Sequence, residues 1–169
     1  MRSTIALKRL GYRVAFRGLQ LRWAVQRPVS VGVKCLITHD DRVLLVRHTY
    51  GARAWDLPGG SSKRGEDPLV TARREMQEEL GLGDADWQPY GQLHGTIYGR
   101  RDEIHVIRAE LSSPALCVDP VEIEAAAWFD RDRFPLWVSP FVGPVLAGGF
   151  PVGPRGAGAG GVPPPTTLL

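Results

Sequence analysis

Three glutamates lie close together near the middle of the chain, at Glu75, Glu78 and Glu79. On a helix, a spacing of i, i+3 and i+4 places all three side chains on one face. Crowded carboxylates repel one another, whereas Mg²⁺ commonly bridges one or two carboxylates to the phosphates of a substrate. The spacing suits a metal-loaded pyrophosphate site, although a pair of helical glutamates alone is more often a solvated surface.

A glycine-rich loop precedes these glutamates. Gly59, Gly60 and Gly65 allow sharp turns and a close approach of the backbone to a ligand. Lys63 and Arg64 add positive charge near the place where phosphates would bind. The loop therefore favours a metal-loaded pyrophosphate site over a solvated surface as the interpretation of the three glutamates.

The glutamates lie on a segment with clear helix boundaries. Asp67 followed by Pro68 is a typical helix start, and Gly81 marks the end. The pattern predicts a helix over residues 68–80. Its apolar face should dock on a sheet through residues at i, i+3 and i+4 spacing, which are Leu69, Ala72, Met76 and Leu80.

The segment from Gly60 to Leu82 resembles the Nudix box of the Nudix hydrolase family at every specified position. It reads glycine, five residues, Glu66, seven residues, Arg74-Glu75-Met76, one residue, Glu78-Glu79, one residue, Gly81-Leu82. A looser resemblance extends over about residues 30–138. It implies an α/β/α sandwich with a mixed sheet, in which the box forms a loop, a helix and a second loop.

The resemblance also implies roles for individual residues. The metal ligands would be Glu75, Glu78, Glu79 and the carbonyl of Gly59, and Arg74 would orient the glutamates. Structural support of the box would come from Gly60, Glu66 and Gly81. Glu122 stands where some relatives keep an additional metal-binding or base glutamate, and Glu124 competes for that place.

The implied reaction is Mg²⁺-dependent hydrolysis of a pyrophosphate bond in a nucleoside diphosphate linked to another group, with Mn²⁺ as a possible substitute. Water attacks phosphorus with the help of a glutamate, while the metal neutralises developing negative charge. No covalent intermediate is expected. The four histidines, at positions 39, 48, 94 and 105, are therefore interpreted mainly as strand or surface residues.

Substrate preference in this family depends on residues outside the box. A proline associated with ADP-ribose hydrolysis is absent, since Ile97 and Tyr98 occupy that place. Tyr98 matches a tyrosine associated with dinucleoside polyphosphates, but it also suits an ordinary strand. Tyr50 and Trp55 are candidates for stacking on a base.

Two alternatives to this enzyme stay open. The first is a non-catalytic Nudix-fold module that binds a nucleotide or a protein, although such a module has no need of crowded glutamates. The second is an RNA 5′-pyrophosphohydrolase guided by a basic N-terminal segment. We expect a small-molecule nucleotide substrate and no DNA partner.

The elements that position the site occupy residues 30–138, which we predict to be the Nudix domain. Strands are predicted on both sides of the helix, at about residues 31–37, 43–48, 87–99, 103–111 and 124–129. A tail over residues 139–169 is rich in glycine and proline and is predicted to be largely disordered.

Residues 1–29 form a separate segment, which is predicted to be a basic amphipathic helix. Residues 1–30 carry seven basic side chains and no acid. Two opposed apolar stripes lie on this helix, one of them with Tyr12 and Phe16 and the other with Leu10 and Val14. One face could dock on the domain while the other meets a second subunit, as in a homodimer, or a membrane surface.

Composition limits the remaining classes. The chain of 169 residues is 43% apolar and 23% charged, which fits a globular domain. The sequence contains no run of eighteen apolar residues, so it predicts no helix that crosses a membrane. Cys35 and Cys117 lack partners at metal-ligand spacing, so a reducing, cytoplasmic location is expected.

Overall fold

Runs of β-branched and other apolar residues form a five-stranded mixed sheet. A computed structural model describes residues 2–26, 29–97 and 100–148. The strands are β1 (Val29–His39), β2 (Arg42–His48), β3 (Gln88–Ile97), β4 (Arg100–Glu110) and β5 (Ile123–Asp130), and the helices are α1 (Arg2–Gln26), α2 (Pro68–Leu80) and α3 (Val142–Leu146). The predicted strands and both predicted helices are present.

The strand order is β3-β4-β1-β2-β5, so β1 lies at the centre of the sheet. β1 pairs in parallel with β4, whereas the other neighbouring pairs are antiparallel. β1 and β2 pair only near their connecting turn, at Thr38 with Val43 and His39 with Arg42. Beyond that point a loop segment, rather than β2, completes the hydrogen bonding of β1.

Each face of the sheet buries its own hydrophobic cluster, because successive strand residues point to opposite sides. One cluster holds α2 against the sheet and includes Ile37, Val46 and Met76. The other lies under α3 and includes Leu45, Val106 and Val145. This layered arrangement is the α/β/α sandwich implied by the sequence.

The C-terminal part of the domain extends further than predicted. Phe141, Val142 and Val145 are buried, and α3 occupies residues that the composition assigned to a disordered tail. Pro144 lies inside the first turn of α3, where a helix tolerates proline. The ordered domain therefore continues to residue 148, and the rest of the predicted tail lies outside the described residues.

Helix α1 confirms the predicted N-terminal helix. Its two apolar stripes have different surroundings: Phe16 is half-buried against the domain, whereas Leu7, Leu10 and Val14 are all more than half exposed. Neither α1 nor any other helix in the described ranges combines the length and the hydropathy that crossing a membrane requires.

Candidate active site

The glycine loop of the box is fixed by hydrogen bonds to β1. The amide of Val33 donates to the carbonyl of Gly60 at 2.9 Å, and the amide of Cys35 donates to the carbonyl of Pro58 at 2.8 Å. Gly59 adopts a φ of 150°, and a Cβ there would overlap the carbonyl oxygen of Val33. The loop thus takes the place next to β1 that β2 vacates, and only glycine fits at position 59.

Helix α2 has the predicted boundaries and caps. Asp67 accepts hydrogen bonds from the amides of Leu69 and Val70, and Gly81 ends the helix in the left-handed conformation with a φ of 71°. A Cβ on Gly81 would also lie 2.8 Å from the Cβ of Cys117. The structure gives Gly81 a clear reason to be glycine, since both its conformation and its space require it.

The three glutamates of α2 differ strongly in exposure. Glu79 is 3% exposed, Glu75 is mostly buried and the side chain of Glu78 is 62% exposed. The difference follows from helix geometry, because Glu79 borders the buried face formed by Ala72 and Met76. One glutamate therefore lies at the bottom of the site and another at its rim.

Arg74 links the helix to the loop through ionic hydrogen bonds. Its Nε and Nη2 atoms donate to the two carboxylate oxygens of Glu66, at 3.0 and 2.9 Å. Its Nη1 atom donates to Glu75 at 2.6 Å and lies 3.5 Å from Glu78. The hydrogen bonds from Arg74 lower the pKa of Glu66 to about 2. This geometry is what the implied roles of Arg74 and Glu66 require.

Glu79 is a buried carboxylate, and one of its two oxygens lacks a hydrogen-bond partner among the described residues. This oxygen is Oε2, which is itself buried. Burial raises the pKa of Glu79 to about 8, and the charge of Glu75 adds to that rise. Burial lowers the pKa of His48, whose Nδ1 lies 4.0 Å from Glu79 Oε1, to about 4. His48 is therefore a neutral neighbour that does not compensate the Glu79 charge at neutral pH.

A pocket of about 640 Å³ opens above Glu79. Its lining includes six acidic side chains, namely Asp56, Glu75, Glu78, Glu79, Asp102 and Glu122, and also Gly59, Gly60, Tyr50 and Lys34. Lys34 donates a hydrogen bond to Asp56 at 2.6 Å, so the charges of these two side chains neutralise each other. The excess of carboxylates and the unpartnered Glu79 oxygen fit a divalent cation. Within the described residues, no three acidic, histidine or cysteine side chains already converge on one point.

The structure separates the two rival glutamates of β5 and its preceding turn. Glu122 lines the pocket and accepts a hydrogen bond from the Tyr12 hydroxyl at 2.8 Å. Glu124 instead accepts from Arg47 at 3.0 Å and pairs with Arg53. The hydrogen bond from Arg53 lowers the pKa of Glu124. The geometry therefore favours Glu122 as the additional glutamate of the site.

Several predicted substrate contacts are not brought to the pocket. Lys63 and Arg64 are exposed on the loop and are absent from the pocket lining. Trp55 is partly buried and packs edge-on against Phe129, with ring centres 5.0 Å apart, at the margin of the second hydrophobic cluster. The structure does not bring the Trp55 ring to the pocket, and the stacking role of Trp55 stays a prediction. Tyr98 lies outside the described residues, and Tyr50 does line the pocket.

Sequence reasoning missed residues that reach the pocket from other elements. Lys34 and Asp102 come from adjacent strands, and Tyr12 and Phe16 come from α1. Lys34 carried a detectable signal, because it interrupts an otherwise apolar strand. Tyr12 carried none, since its partner Glu122 is 110 residues away in the chain.

A mixed sheet between helices, with a glycine loop and a carboxylate-bearing helix packed on one face, defines the class of domain as an α/β/α sandwich with an acidic pocket. Comparison with known families agrees: the NUDIX domain model matches residues 27–147. The chain belongs to the NUDIX domain family.

Individual relatives support this assignment. The chain is 38% identical over 107 residues to an ADP-ribose pyrophosphatase of Mycobacterium tuberculosis, covering 60% of this chain and 50% of that protein. It is 31% identical over 133 residues to an RNA pyrophosphohydrolase of Rhodospirillum rubrum, covering 69% of this chain and 80% of that protein. The chain thus spans half the length of the first relative.

A solved structure shows the same fold. The MutT NUDIX hydrolase of Burkholderia pseudomallei superposes with a TM-score of 0.64 at 27% identity, covering 70% of this chain and 96% of that one. The overall fold of the chain is therefore that of a NUDIX hydrolase.

Proposed function

We propose that the protein hydrolyses a pyrophosphate bond in a nucleoside diphosphate linked to another group, with Mg²⁺ as its metal. The observation that carries this proposal is the buried Glu79 oxygen without a partner in a pocket with six acidic side chains. Relatives named pyrophosphatase and pyrophosphohydrolase support the reaction class. A binding module without catalysis would gain nothing from a buried and costly carboxylate.

In the proposed mechanism, Glu75, Glu78, Glu79 and the carbonyl of Gly59 would hold the metal. When bound, the cation supplies charge neutralisation for the phosphate oxygens and activates water. Mn²⁺ has similar ligand preferences and could replace Mg²⁺.

The chain's own residues position the reacting groups. Arg74 holds Glu75 through its 2.6 Å hydrogen bond, and Glu66 holds Arg74 in turn. Glu122 lines the pocket from outside α2 and is the candidate for accepting the proton of the attacking water. The Tyr12 hydroxyl fixes the orientation of Glu122 through its hydrogen bond.

The identity of the group beyond the pyrophosphate is a finer proposal. The proline associated with ADP-ribose hydrolysis is absent, although one relative is named an ADP-ribose pyrophosphatase. The RNA pyrophosphohydrolase relative and the basic helix α1 favour RNA 5′ ends as the second candidate substrate. The free thiols of Cys35 and Cys117 agree with the proposed cytoplasmic location.

The exposed stripe of α1 keeps a further prediction open. Leu7 and Val14 present apolar surface among basic residues, as a contact with a second subunit or a membrane surface would need. Light scattering of the purified protein and sedimentation with anionic vesicles test these two contacts directly.

Replacement of Glu78 tests the proposed reaction. We expect Glu78→Gln to lower Mg²⁺-dependent release of phosphate or nucleoside monophosphate by at least 100-fold, because a metal ligand is lost. Glu110→Gln makes the same charge change on the exposed end of β4 and should retain activity. Nucleotide binding without turnover in the wild-type protein, over a screen of nucleotide sugars, dinucleoside polyphosphates and nucleoside triphosphates, would contradict the enzyme proposal.

A further inference from the structure

A second pocket of about 400 Å³ lies beside the carboxylate pocket. Its walls are α1 and the segment that follows β2, from Thr49 to Arg53. Phe16 and Tyr50 line both pockets, so the two spaces are neighbours that share a wall. A ligand bound above Glu79 is therefore adjacent to the second pocket, with only these two rings between the two spaces.

The second pocket is basic. Arg13, Arg17 and Arg53 line it, and no acidic side chain does. Glu124 compensates Arg53, but it is shared with Arg47. Arg13 donates its Nε hydrogen to the carbonyl of Thr49 at 2.9 Å, which uses no negative charge. Across the part of the chain that the structure describes, no ion-pair partner is found for Arg17. The pocket thus carries uncompensated positive charge and suits an anion.

Helix α1 is held in place over both pockets by specific contacts. Two nitrogens of Arg9 donate to the carbonyl of Pro120, at 3.0 and 2.7 Å. The rings of Tyr12 and Tyr50 are stacked with centres 6.0 Å apart, and the ring of Phe16 lies 5.3 Å from Tyr50. Arg13 and Arg17 are therefore presented from a docked helix, next to aromatic rings of the kind against which nucleic acid bases pack.

We propose that α1 and the Thr49–Arg53 segment form a second subsite, which binds a phosphate of the substrate beyond the pyrophosphate that is hydrolysed. The ligand class is a nucleotide extended by a second nucleoside and its phosphate, whose base contacts the ring of Phe16 or Tyr50. This inference rests on the proposed function, because it assumes that the reacting pyrophosphate lies at the glutamates. The opposite charges of the two pockets then divide the substrate: the carboxylate pocket takes the metal-complexed phosphates, and the basic pocket takes a phosphate free of metal.

Three adenine nucleotides separate the subsite from the catalytic pocket. ATP has no extension, 5′-triphosphorylated ApA carries a phosphodiester-linked second nucleoside, and diadenosine tetraphosphate carries its second nucleoside on the polyphosphate chain. We measure kcat/KM with Mg²⁺ for the wild-type protein, Arg17→Ala and Lys8→Ala. Lys8 is exposed on the same helix and lines neither pocket. Lys8→Ala therefore removes the same charge from α1 as Arg17→Ala does, but outside the two pockets.

The expected result is a change of preference. Arg17→Ala should lower the ratio of kcat/KM for an extended substrate to that for ATP by about tenfold, as loss of a charge-assisted hydrogen bond predicts. Lys8→Ala should leave this ratio unchanged. An effect on the triphosphorylated dinucleotide identifies an RNA end as the source of the phosphate, and an effect on diadenosine tetraphosphate identifies a dinucleoside polyphosphate. An unchanged ratio for both extended substrates would overturn the subsite.

A binding measurement keeps the subsite testable if the proposed function fails. If the wild-type protein turns over none of the three nucleotides, the subsite is tested by binding alone. Fluorescence anisotropy of a labelled 5′-triphosphorylated dinucleotide, in EDTA, then compares the same three proteins. Weaker binding by Arg17→Ala than by Lys8→Ala supports the subsite, and equal binding by the two variants refutes it.

Discussion

Replacement of Glu79 by glutamine should make the metal-free protein more stable at neutral and alkaline pH. Glu79 is 3% exposed, and burial raises its pKa from 4.5 to about 8. The folded protein therefore keeps the Glu79 proton to a higher pH than the unfolded chain does. By proton linkage, the contribution of Glu79 to the free energy of unfolding falls as pH rises from about 4.5 to about 8.

The size of this effect follows from the same shift. Each tenfold difference in proton affinity is worth about 1.4 kcal/mol, so the charged Glu79 carboxylate costs the metal-free fold roughly 3–5 kcal/mol above pH 8. Glutamine removes the charge but leaves a buried amide, so a gain of about 2 kcal/mol is expected. For a chain of this size, that gain raises the melting temperature by roughly 4–8 °C.

Thermal unfolding in EDTA at pH 5 and at pH 8 measures the effect. Glu79→Gln should melt above the wild-type protein at pH 8, and the difference should shrink at pH 5. Glu78→Gln is the matched control, because it makes the same change on an exposed side chain of the same helix. Added Mg²⁺ should raise the melting temperature of the wild-type protein more than that of Glu79→Gln. Equal pH dependence of the wild-type protein and Glu79→Gln would refute the argument.

Three further predictions concern the box and α1. Gly60→Ala would place a Cβ against the carboxylate of Glu75, so Mg²⁺-dependent kcat/KM should fall roughly 10- to 100-fold; unchanged kinetics would contradict the overlap. Gly11→Ala meets nothing within 4 Å on α1, and denaturant unfolding should show a gain of about 0.5–1 kcal/mol. Glu66 has its pKa lowered to about 2 by hydrogen bonds from Arg74, so wild-type stability should decline as pH falls from 4.5 towards 2. Glu66→Gln should show a smaller decline in acid titrations followed by circular dichroism, because other carboxylates such as Glu124 still titrate, and an identical titration would show that the ion pair contributes nothing.

Local signals predicted α2 and its face accurately. The cap at Asp67, the proline after it and the glycine at position 81 are chemical requirements of helix ends, and they fix the bounds without help from other elements. The buried face with Ala72 and Met76 follows from helical periodicity alone. The strands could be predicted equally well from the sequence, because the alternation of apolar residues depends only on the local backbone.

The electrostatics of the site could not be predicted in this way. All three glutamates look alike in sequence, yet the sheet beneath α2 buries Glu79 and leaves Glu78 exposed. Asp102 falls just before the predicted strand at residues 103–111, but it is a buried residue of β4 opposite Ser30 of β1. Such differences depend on which strands become neighbours, and residue type alone does not determine that.

Aromatic residues were the least predictable. Tyr50 and Trp55 are five positions apart and seemed equally suited to stacking, but Tyr50 lines the pocket, whereas Trp55 packs against the second hydrophobic cluster. The prediction of disorder at the proline-containing end of the domain was wrong for a related reason. Phe141 and Val145 gain enough burial to hold a short helix that composition disfavours.

The two hydrophobic clusters divide the domain into two parts, and substitutions in these parts should affect the pocket differently. Helix α2 is anchored in one cluster, whereas Phe141, which lines the pocket from the other side, belongs to the second. Substitutions in the second cluster can therefore alter the shape of the pocket while the box keeps its geometry. Laboratory evolution towards new nucleotides should accumulate mutations around Phe141 and spare the residues beneath α2.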